Sequence, residues 1–219
     1  LPEFHRISAN AKLLTIKFRS LRKLLLELGI LFFGVFILNA DFIIELLFSE
    51  EFIDAVIILK LLSFSGLVVF INYPYYMLAE VINKVNLRMY IRIITFFMTI
   101  AIVYVFVKLF GAPGAAIGLI IGQTIFMLLL HLITQTHNGG FITILKDFSM
   151  LLVAIPAFIS GLFVQSLFEN EFIILILGSG SFLLVFILLG FFLGRLEFLH
   201  MIITILKKYF PIFENKLNK

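Results

Sequence analysis

Five side chains able to bind ligands or ions stand inside or beside long apolar runs of this sequence: Asp41, Glu45, Asn72, Tyr73 and Glu80. Ionisable and polar groups are unfavourable within a bilayer, so they are candidates for a substrate or ion pathway wherever they occur there. Asp41 and Glu45 are one helical turn apart and share a helix face, as the lining of an outward opening or a cation site would require. The alternative is that both carboxylates lie in water at the membrane surface.

The remaining candidates follow one another along a single apolar run. Asn72 and Tyr73 precede Pro74, which removes a backbone hydrogen bond and predicts a helix kink. A helix broken at depth exposes carbonyl groups to a cavity, with the Tyr73 ring beside it; a structural kink with interfacial tyrosines is the alternative. Pro156 predicts a second kink, which is either a hinge or a static bend.

Basic residues near these candidates suggest ion pairs. Lys60 is expected either to extend its amine to the membrane surface or to pair with Asp41 or Glu45 across a helical hairpin. Glu80 and Lys84 are four residues apart, and a local ion pair is expected between them. Such pairing would make these charges structural, so it competes with a role in a cavity.

Composition identifies the class of protein that carries these residues. Of 219 residues, 62% are apolar and 14% are charged, whereas soluble domains have about 45–50% and about 25%. The chain has no cysteine, and its four histidines are scattered without metal-ligand spacing, so no metal site and no cofactor are predicted. The loops are too short for a catalytic module, so no enzyme and no catalytic residue are predicted. A net charge of +4 does not indicate nucleic acid binding.

The apolar runs predict an all-α, multi-pass membrane domain at residues 24–194. Six transmembrane helices are expected, at about residues 24–48, 55–81, 89–110, 114–133, 148–168 and 172–194. The outer half of the first run is broken by Asn39, Asp41 and Glu45. Residues 1–23 predict an amphipathic connection on the cytoplasmic surface, and residues 195–219 predict an amphipathic, basic cytoplasmic tail on an anionic leaflet.

The distribution of charge predicts the orientation of these helices. Of the 17 basic residues, all except Lys60 and Lys108 fall on the side of the N-terminal segment. Because basic residues accumulate on the cytoplasmic side of a membrane, both ends of the chain are expected in the cytoplasm. The chain starts with Leu1 rather than methionine, and we expect it to be the C-terminal part of a longer membrane protein.

A glycine-rich turn predicts a tight hairpin between the third and fourth runs. Gly111 suits a helix C-terminus in the left-handed conformation, and Pro113 suits the first turn of the next helix. Gly114, Gly118 and Gly122 recur every four residues and form a smooth strip on one helix face. Such a strip allows the backbone of a neighbouring helix to approach closely.

The order of these features resembles the C-terminal half of polysaccharide-biosynthesis membrane proteins, the O-antigen-type flippases of lipid-linked oligosaccharides in the MATE-like exporter superfamily. The features that carry the resemblance are Pro2 ahead of a basic segment, the turn at residues 44–55, Lys60 at the start of the next helix, and the glycine-alanine-alanine hairpin at residues 110–116. Two positions depart from the family pattern, because Ser49 and Asn83 stand where glycine is usual. Asparagine tolerates the left-handed conformation better than most residues, so the helix end at Asn83 can survive.

The resemblance implies one lobe of a MATE-like two-lobe transporter in the inner, or cytoplasmic, membrane. It implies export of polysaccharide precursors, by flipping a polyprenyl-pyrophosphate-linked glycan across the membrane through alternating access. The implied partners are the lipid-linked glycan, membrane lipids, N-terminal helices of the same polypeptide and glycan-assembly proteins. A multidrug or other small-molecule exporter of the same superfamily and a six-span structural membrane protein are the alternatives. The sequence specifies neither the glycan nor a coupling ion.

Overall fold

The structure is a computed structural model that describes residues 11–135, 150–168, 170–193 and 196–197. These residues form helices and turns, with no strand among them. The helices are α1 (Ala11–Leu38), α2 (Ala40–Phe48), a short 3-10 helix (Glu50–Phe52), α3 (Ala55–Val81), α4 (Val85–Phe110), α5 (Ala112–Thr134) and α6 (Met150–Gln165). The last helix, α7, comprises Glu171–Ile173, the π-helical segment Ile174–Gly178 and Ser179–Phe192.

Several of these helices are long and apolar enough to span a membrane. The described part of the chain has four of them, namely α3, α4, α5 and Ile174–Phe192 of α7, or five if α1 and α2 form one bent span. Helix α6 is apolar but has only 16 residues, whereas about 20 are needed to cross the hydrocarbon core. The predicted all-α, multi-pass class is therefore confirmed, and the sixth complete span is not.

The first helix differs from the prediction at its start. The sequence suggested a surface segment up to residue 23 and a span from residue 24, but α1 runs without a break from Ala11 to Leu38. Its buried residues recur every four positions, and Leu14, Phe18 and Leu26 all lie in the main core. This regular stripe continues across the predicted boundary, so the basic N-terminal half of α1 packs against the same helices as its apolar half.

A sharp bend separates α1 from α2 at Asn39, inside the part of the first run where polar residues interrupt it. The two helix axes differ by 62°. The Gln165 amide donates to the Leu38 carbonyl at 2.9 Å, and the Asn39 amide donates to the Val35 carbonyl and the Ser179 hydroxyl, each at 2.7 Å. Backbone groups within a membrane must be satisfied inside the protein, and these side chains meet that requirement at the bend.

Three residues with positive φ mark the predicted turns. Ser49 ends α2 with φ 73°, Asn83 lies between α3 and α4 with φ 57°, and Gly111 separates α4 from α5 with φ 65°. The positive φ expected at Gly111 is confirmed, but its ψ of −146° lies outside the left-handed helical region, in a conformation that glycine alone adopts readily. Ser49 and Asn83 thus adopt a positive φ, which glycine adopts more readily than other residues.

The glycine strip packs against α4 as predicted. A Cβ atom added to Gly114 would lie 2.0 Å from the carbonyl oxygen of Phe106, and one added to Gly122 would lie 2.1 Å from the hydroxyl of Thr99. A Cβ on Gly118 would lie 2.7 Å from a Cα atom of α4. The absence of these side chains therefore sets the distance between α4 and α5, and the hairpin starts with proline in the first turn of α5.

The main core lies among α1, α3, α5, α6 and α7, while α4 lies at the edge and packs mainly against α5. Large side chains that fill this core include Phe18, Tyr75, Leu130, Phe182 and Phe186. Pro74 and Pro156 lie inside α3 and α6, which continue past them, so the kinks expected there stay predictions. Gly194, Lys146 and residues 198–219 lie outside the described residues.

Candidate functional site

Asp41, one of the two acidic candidates in α2, forms an ion pair with Lys60 near the start of α3. The Lys60 amine lies 2.9 Å from an Asp41 carboxylate oxygen across the α2–α3 hairpin, which is one of the two outcomes expected for Lys60. The Asp41 side chain is 61% exposed, and Glu45 is half-buried one turn further along α2. Asp41 is thus a partly exposed partner of Lys60.

The expected ion pair between Glu80 and Lys84 is wrong. Glu80 pairs with Arg88 at 3.5 Å, and the Lys84 amine donates to the Ile133 carbonyl at 2.6 Å. The physical reason is that α3 ends before Asn83, where the chain turns left-handed, so Glu80 and Lys84 do not share a helix. The four-residue spacing rule holds only within a continuous helix.

Arg88 joins the end of α3 to the start of α4. Its guanidinium carbon lies 3.9 Å from the centre of the Tyr76 ring, and a guanidinium nitrogen donates to the Tyr76 carbonyl at 3.1 Å. This stacking combined with the Glu80 pair fixes the two helices relative to each other. It also places the next basic residue of α4, Arg92, beside the middle of α3.

A cavity of about 300 Å³ lies between α3, α4 and α5, and we call it the polar pocket. Two of the sequence candidates, Asn72 and Tyr73, line it. The complete lining is Val69, Asn72, Tyr73, Tyr76, Arg92, Gln123 and Phe126. Since α3 has 27 residues and Asn72 lies nine residues from its end, the pocket is about 14 Å along the helix from that end.

Two amide groups in the polar pocket have unused acceptors. The Asn72 amide nitrogen donates to the Gln123 backbone carbonyl at 3.2 Å. The side-chain oxygens of Asn72 and Gln123 are buried, and neither has a hydrogen-bond partner among the described residues. A buried acceptor without a partner costs about 1–3 kcal/mol, so a hydroxyl or N–H donor would stabilise either oxygen once that side chain turns toward the cavity.

Arg92 brings positive charge to the same pocket. It lies two turns inside α4, and its guanidinium carbon is 4.8 Å from the centre of the Phe126 ring. The Tyr73 ring, 54% exposed, forms another part of the wall. No acidic side chain occurs among the residues that line the pocket. One cation, two free acceptors and exposed aromatic rings suit an anionic, hydroxylated group.

A longer cavity continues from the polar pocket along α4, with a volume of about 660 Å³, and we call it the α4 groove. The two cavities share Arg92 and Gln123. The other lining residues of the α4 groove are Thr95, Phe96, Thr99, Ile100, Val103, Tyr104, Val107, Leu119 and Gly122. Polar groups therefore gather at one end of a continuous space whose remainder is mostly apolar.

A second polar cluster lies near the ends of α3 and α5. Arg22 and Glu27 of α1 are buried, and a Glu27 oxygen accepts a hydrogen bond from the Glu197 backbone at 2.7 Å. The rings of Tyr75 and His131 meet edge to face with centres 5.9 Å apart. The Arg22 guanidinium carbon lies 5.3 Å from the centre of the Phe18 ring, which in turn meets the Tyr75 ring edge to face at 5.4 Å, so these contacts tie α1 to α3.

The structure thus brings together only part of the candidate set. Asn72 and Tyr73 meet in the polar pocket. Asp41 instead pairs with Lys60, which lies about 18 Å from Asn72 along α3, toward the start of that helix. Arg92 and Gln123 were missed. The sequence did contain a signal for Gln123, because this polar side chain directly follows Gly122, the last glycine of the packing strip.

No group of three or more histidine, aspartate and glutamate side chains that could hold a metal ion occurs in the part of the chain that the structure describes. The chain matches no protein family, no curated protein and no solved structure. Its function is therefore inferred from the chemistry of the polar pocket and from the turn motifs of the sequence.

Proposed function

We propose that the chain forms one lobe of a MATE-like, two-lobe exporter, which flips a polyprenyl-pyrophosphate-linked glycan across the inner membrane by alternating access. The observation that carries the proposal is the polar pocket, where Arg92 lies beside the free acceptors of Asn72 and Gln123 between membrane helices. A charged residue in such a position is a functional candidate by default. In this proposal α1 with α2, and then α3 to α7, are the six spans, and both chain ends are cytoplasmic.

Each part of the pocket has a counterpart in a lipid-linked sugar. The Arg92 guanidinium can donate two parallel, charge-assisted hydrogen bonds to a phosphate. The oxygens of Asn72 and Gln123 can accept hydrogen bonds from sugar hydroxyls, and the Tyr73 ring offers a flat surface to a sugar face. A volume of about 300 Å³ is at the small end for ligand pockets, so it suits a phosphate and one sugar rather than a whole glycan.

The turn geometry supports the family resemblance on which the proposal also depends. Ser49 and Asn83 depart from the family's glycines, and both nevertheless have the positive φ that glycine adopts readily. The departures therefore keep the backbone conformation of the pattern. This agreement is independent of the pocket, because both turns lie outside its lining.

The chemistry of the polar pocket disfavours the main alternative. An exporter of cationic drugs would be expected to carry negative charge at its binding site, whereas the pocket lining carries the positive charge of Arg92 and no acidic side chain. An anionic, hydroxylated substrate uses all of these groups.

The test is transport of a polyprenyl-pyrophosphate-linked sugar by the full-length protein reconstituted in liposomes. We expect Arg92→Gln to lower the initial rate roughly 10- to 100-fold, because a hydrogen bond to a charged group contributes about 1.5–3 kcal/mol. Arg92→Lys should retain an intermediate rate, since it keeps the charge and loses the paired geometry. Lys108→Gln is the matched control, because Lys108 is on the same helix, against Tyr104 and outside the pocket lining. Equal rates for Arg92→Gln and Lys108→Gln would refute the proposal.

A further inference from the structure

We propose that α2 lies along the membrane interface and binds lipids with zwitterionic headgroups that carry an ammonium group. This inference is independent of the proposed function, because no residue of α2 belongs to the lining of the polar pocket. It requires only that the helix bundle spans a bilayer.

The angle of α2 directs it along the membrane surface. The helix has nine residues, so it is about 13 Å long at the helical rise of about 1.5 Å per residue. Because its axis is bent by 62° from that of α1, it advances only about 6 Å in the direction of α1 and about 12 Å sideways. The bent span formed by α1 and α2 therefore ends in a helix that runs mainly parallel to the bilayer.

The ion pair at the start of α2 places this helix at the edge of the hydrocarbon core. Asp41 pairs with Lys60 at 2.9 Å, yet its side chain is 61% exposed. A charge that the protein does not cover is unfavourable in hydrocarbon, so Asp41 belongs at the polar surface of the membrane. The rest of α2 stays close to that level, because the helix advances so little in the direction of α1.

The side chains of α2 divide into three arcs around the helix. Ile44 is buried against the start of α3. Asp41 and Glu45, one turn apart, form a polar edge. Leu46 and Leu47 point away from both, and they are 62% and 66% exposed. An amphipathic helix with these arcs fits the boundary between headgroups and acyl chains, with its polar edge in water and its leucines in hydrocarbon.

The charges at this end of the bundle select the headgroup. Glu51 and Asp54 follow α2 directly, and both are exposed. Lys60 is the only basic residue in residues 39–60, and Asp41 already pairs with it. Carboxylates repel an anionic headgroup and attract the ammonium group of a zwitterionic one. A lipid such as phosphatidylethanolamine therefore complements both the apolar arc and the charge beside it.

The test is quenching of a bimane fluorophore on Leu46→Cys by brominated phosphatidylethanolamine, in the otherwise cysteine-free full-length protein in liposomes. We expect bromine near the headgroup to quench more than bromine near the chain end, because interfacial helices insert by about 5–10 Å. Phe97→Cys is the matched control and should show the reverse order, since Phe97 is 65% exposed at the centre of α4.

Three results at Leu46 would overturn the inference. Quenching by aqueous iodide and not by brominated lipid would place α2 in water. Protection from both quenchers would mean that protein covers the helix. The same order of quenching as at Phe97 would mean that α2 continues across the hydrocarbon core.

A second comparison tests the headgroup. At equal mole fraction, brominated phosphatidylethanolamine should quench bimane on Leu46→Cys about two- to fivefold more than brominated phosphatidylglycerol, the range that exposed ion pairs produce. Combining Glu51→Gln with Asp54→Asn should remove this preference. Leu132→Cys is the control at the opposite end of the bundle, where an exposed leucine near the end of α5 should show no preference for phosphatidylethanolamine. Equal quenching by the two lipids at Leu46 would refute the headgroup assignment.

Discussion

Replacing Gly114 with alanine should drive α4 and α5 apart. The new Cβ atom would lie 2.0 Å from the Phe106 carbonyl oxygen and 2.4 Å from its carbonyl carbon. Ordinary contact begins at 3.4 Å, so one of the two helices must shift by about 1.4 Å. Both atoms of Phe106 belong to the backbone of α4, so no side-chain rotation can relieve the contact.

The expected loss of stability follows from the size of this shift. A gap of 0.5–1 Å already forfeits about a quarter to a half of a van der Waals contact, and overpacking typically costs about 1–3 kcal/mol. We expect Gly114→Ala to lower the free energy of unfolding by about 2–3 kcal/mol. Gly180→Ala is the matched control, because Gly180 lies in α7 with no atom within 4 Å of an added Cβ. There, removal of a helical glycine should stabilise by about 0.5–1 kcal/mol.

The assay is unfolding of the full-length protein in mixed micelles of increasing SDS content, followed by far-ultraviolet circular dichroism. Gly111→Ala provides an intermediate case, since its Cβ meets no atom within 4 Å but its φ of +65° disfavours a side chain by about 1–2 kcal/mol. The expected order of stability is Gly180→Ala, then Gly111→Ala, then Gly114→Ala. If Gly114→Ala is as stable as Gly180→Ala, the close packing of α4 on α5 is wrong.

Two further predictions concern the helix ends, and the same unfolding assay measures both. Ser49→Gly should raise the free energy of unfolding by about 1 kcal/mol, because glycine relieves the strain of a φ of 73°. Asn83→Gly should raise it less, because asparagine tolerates positive φ. A larger gain for Asn83→Gly than for Ser49→Gly would contradict the assigned backbone conformations. Gln165→Leu should lower it by about 1–3 kcal/mol, because the Leu38 carbonyl at the bend between α1 and α2 loses its 2.9 Å partner, and no change would mean that the bend needs no side-chain support.

The features that could be predicted from sequence are local in the chain. Positive φ at Gly111 depends on the conformational freedom of one residue, and the spacing of Gly114, Gly118 and Gly122 depends only on the helical repeat. The limits of α3 at residues 55–81 were also predicted, because an acidic turn and a polar turn flank its apolar run. Each of these features is determined by neighbours within about one helical turn.

The features that could not be predicted depend on how separate helices are placed. The partner of Glu80 is Arg88 because the chain reverses between α3 and α4, and spacing along the sequence does not report that reversal. The burial of Phe18 depends on contact with Tyr75 of α3, 5.4 Å away between ring centres. In each case the deciding partner belongs to another helix, so a single sequence leaves these environments open.

The charge of Arg92 fits two requirements, membrane topology and ligand binding, and only the first was recognised from the sequence. The sequence placed it near the start of a span at Met89, where a basic residue is sufficiently explained by membrane topology. Helix α4 starts at Val85 instead, so Arg92 lies about 10 Å along the helix, with its guanidinium over the Phe126 ring of α5. The Arg92 side chain is exposed, as membrane topology alone would also require, and it lines the same pocket as two unsatisfied amide oxygens. The proposed function accounts for this combination, because an anionic, hydroxylated ligand bound between the helices would use both the charge and the acceptors.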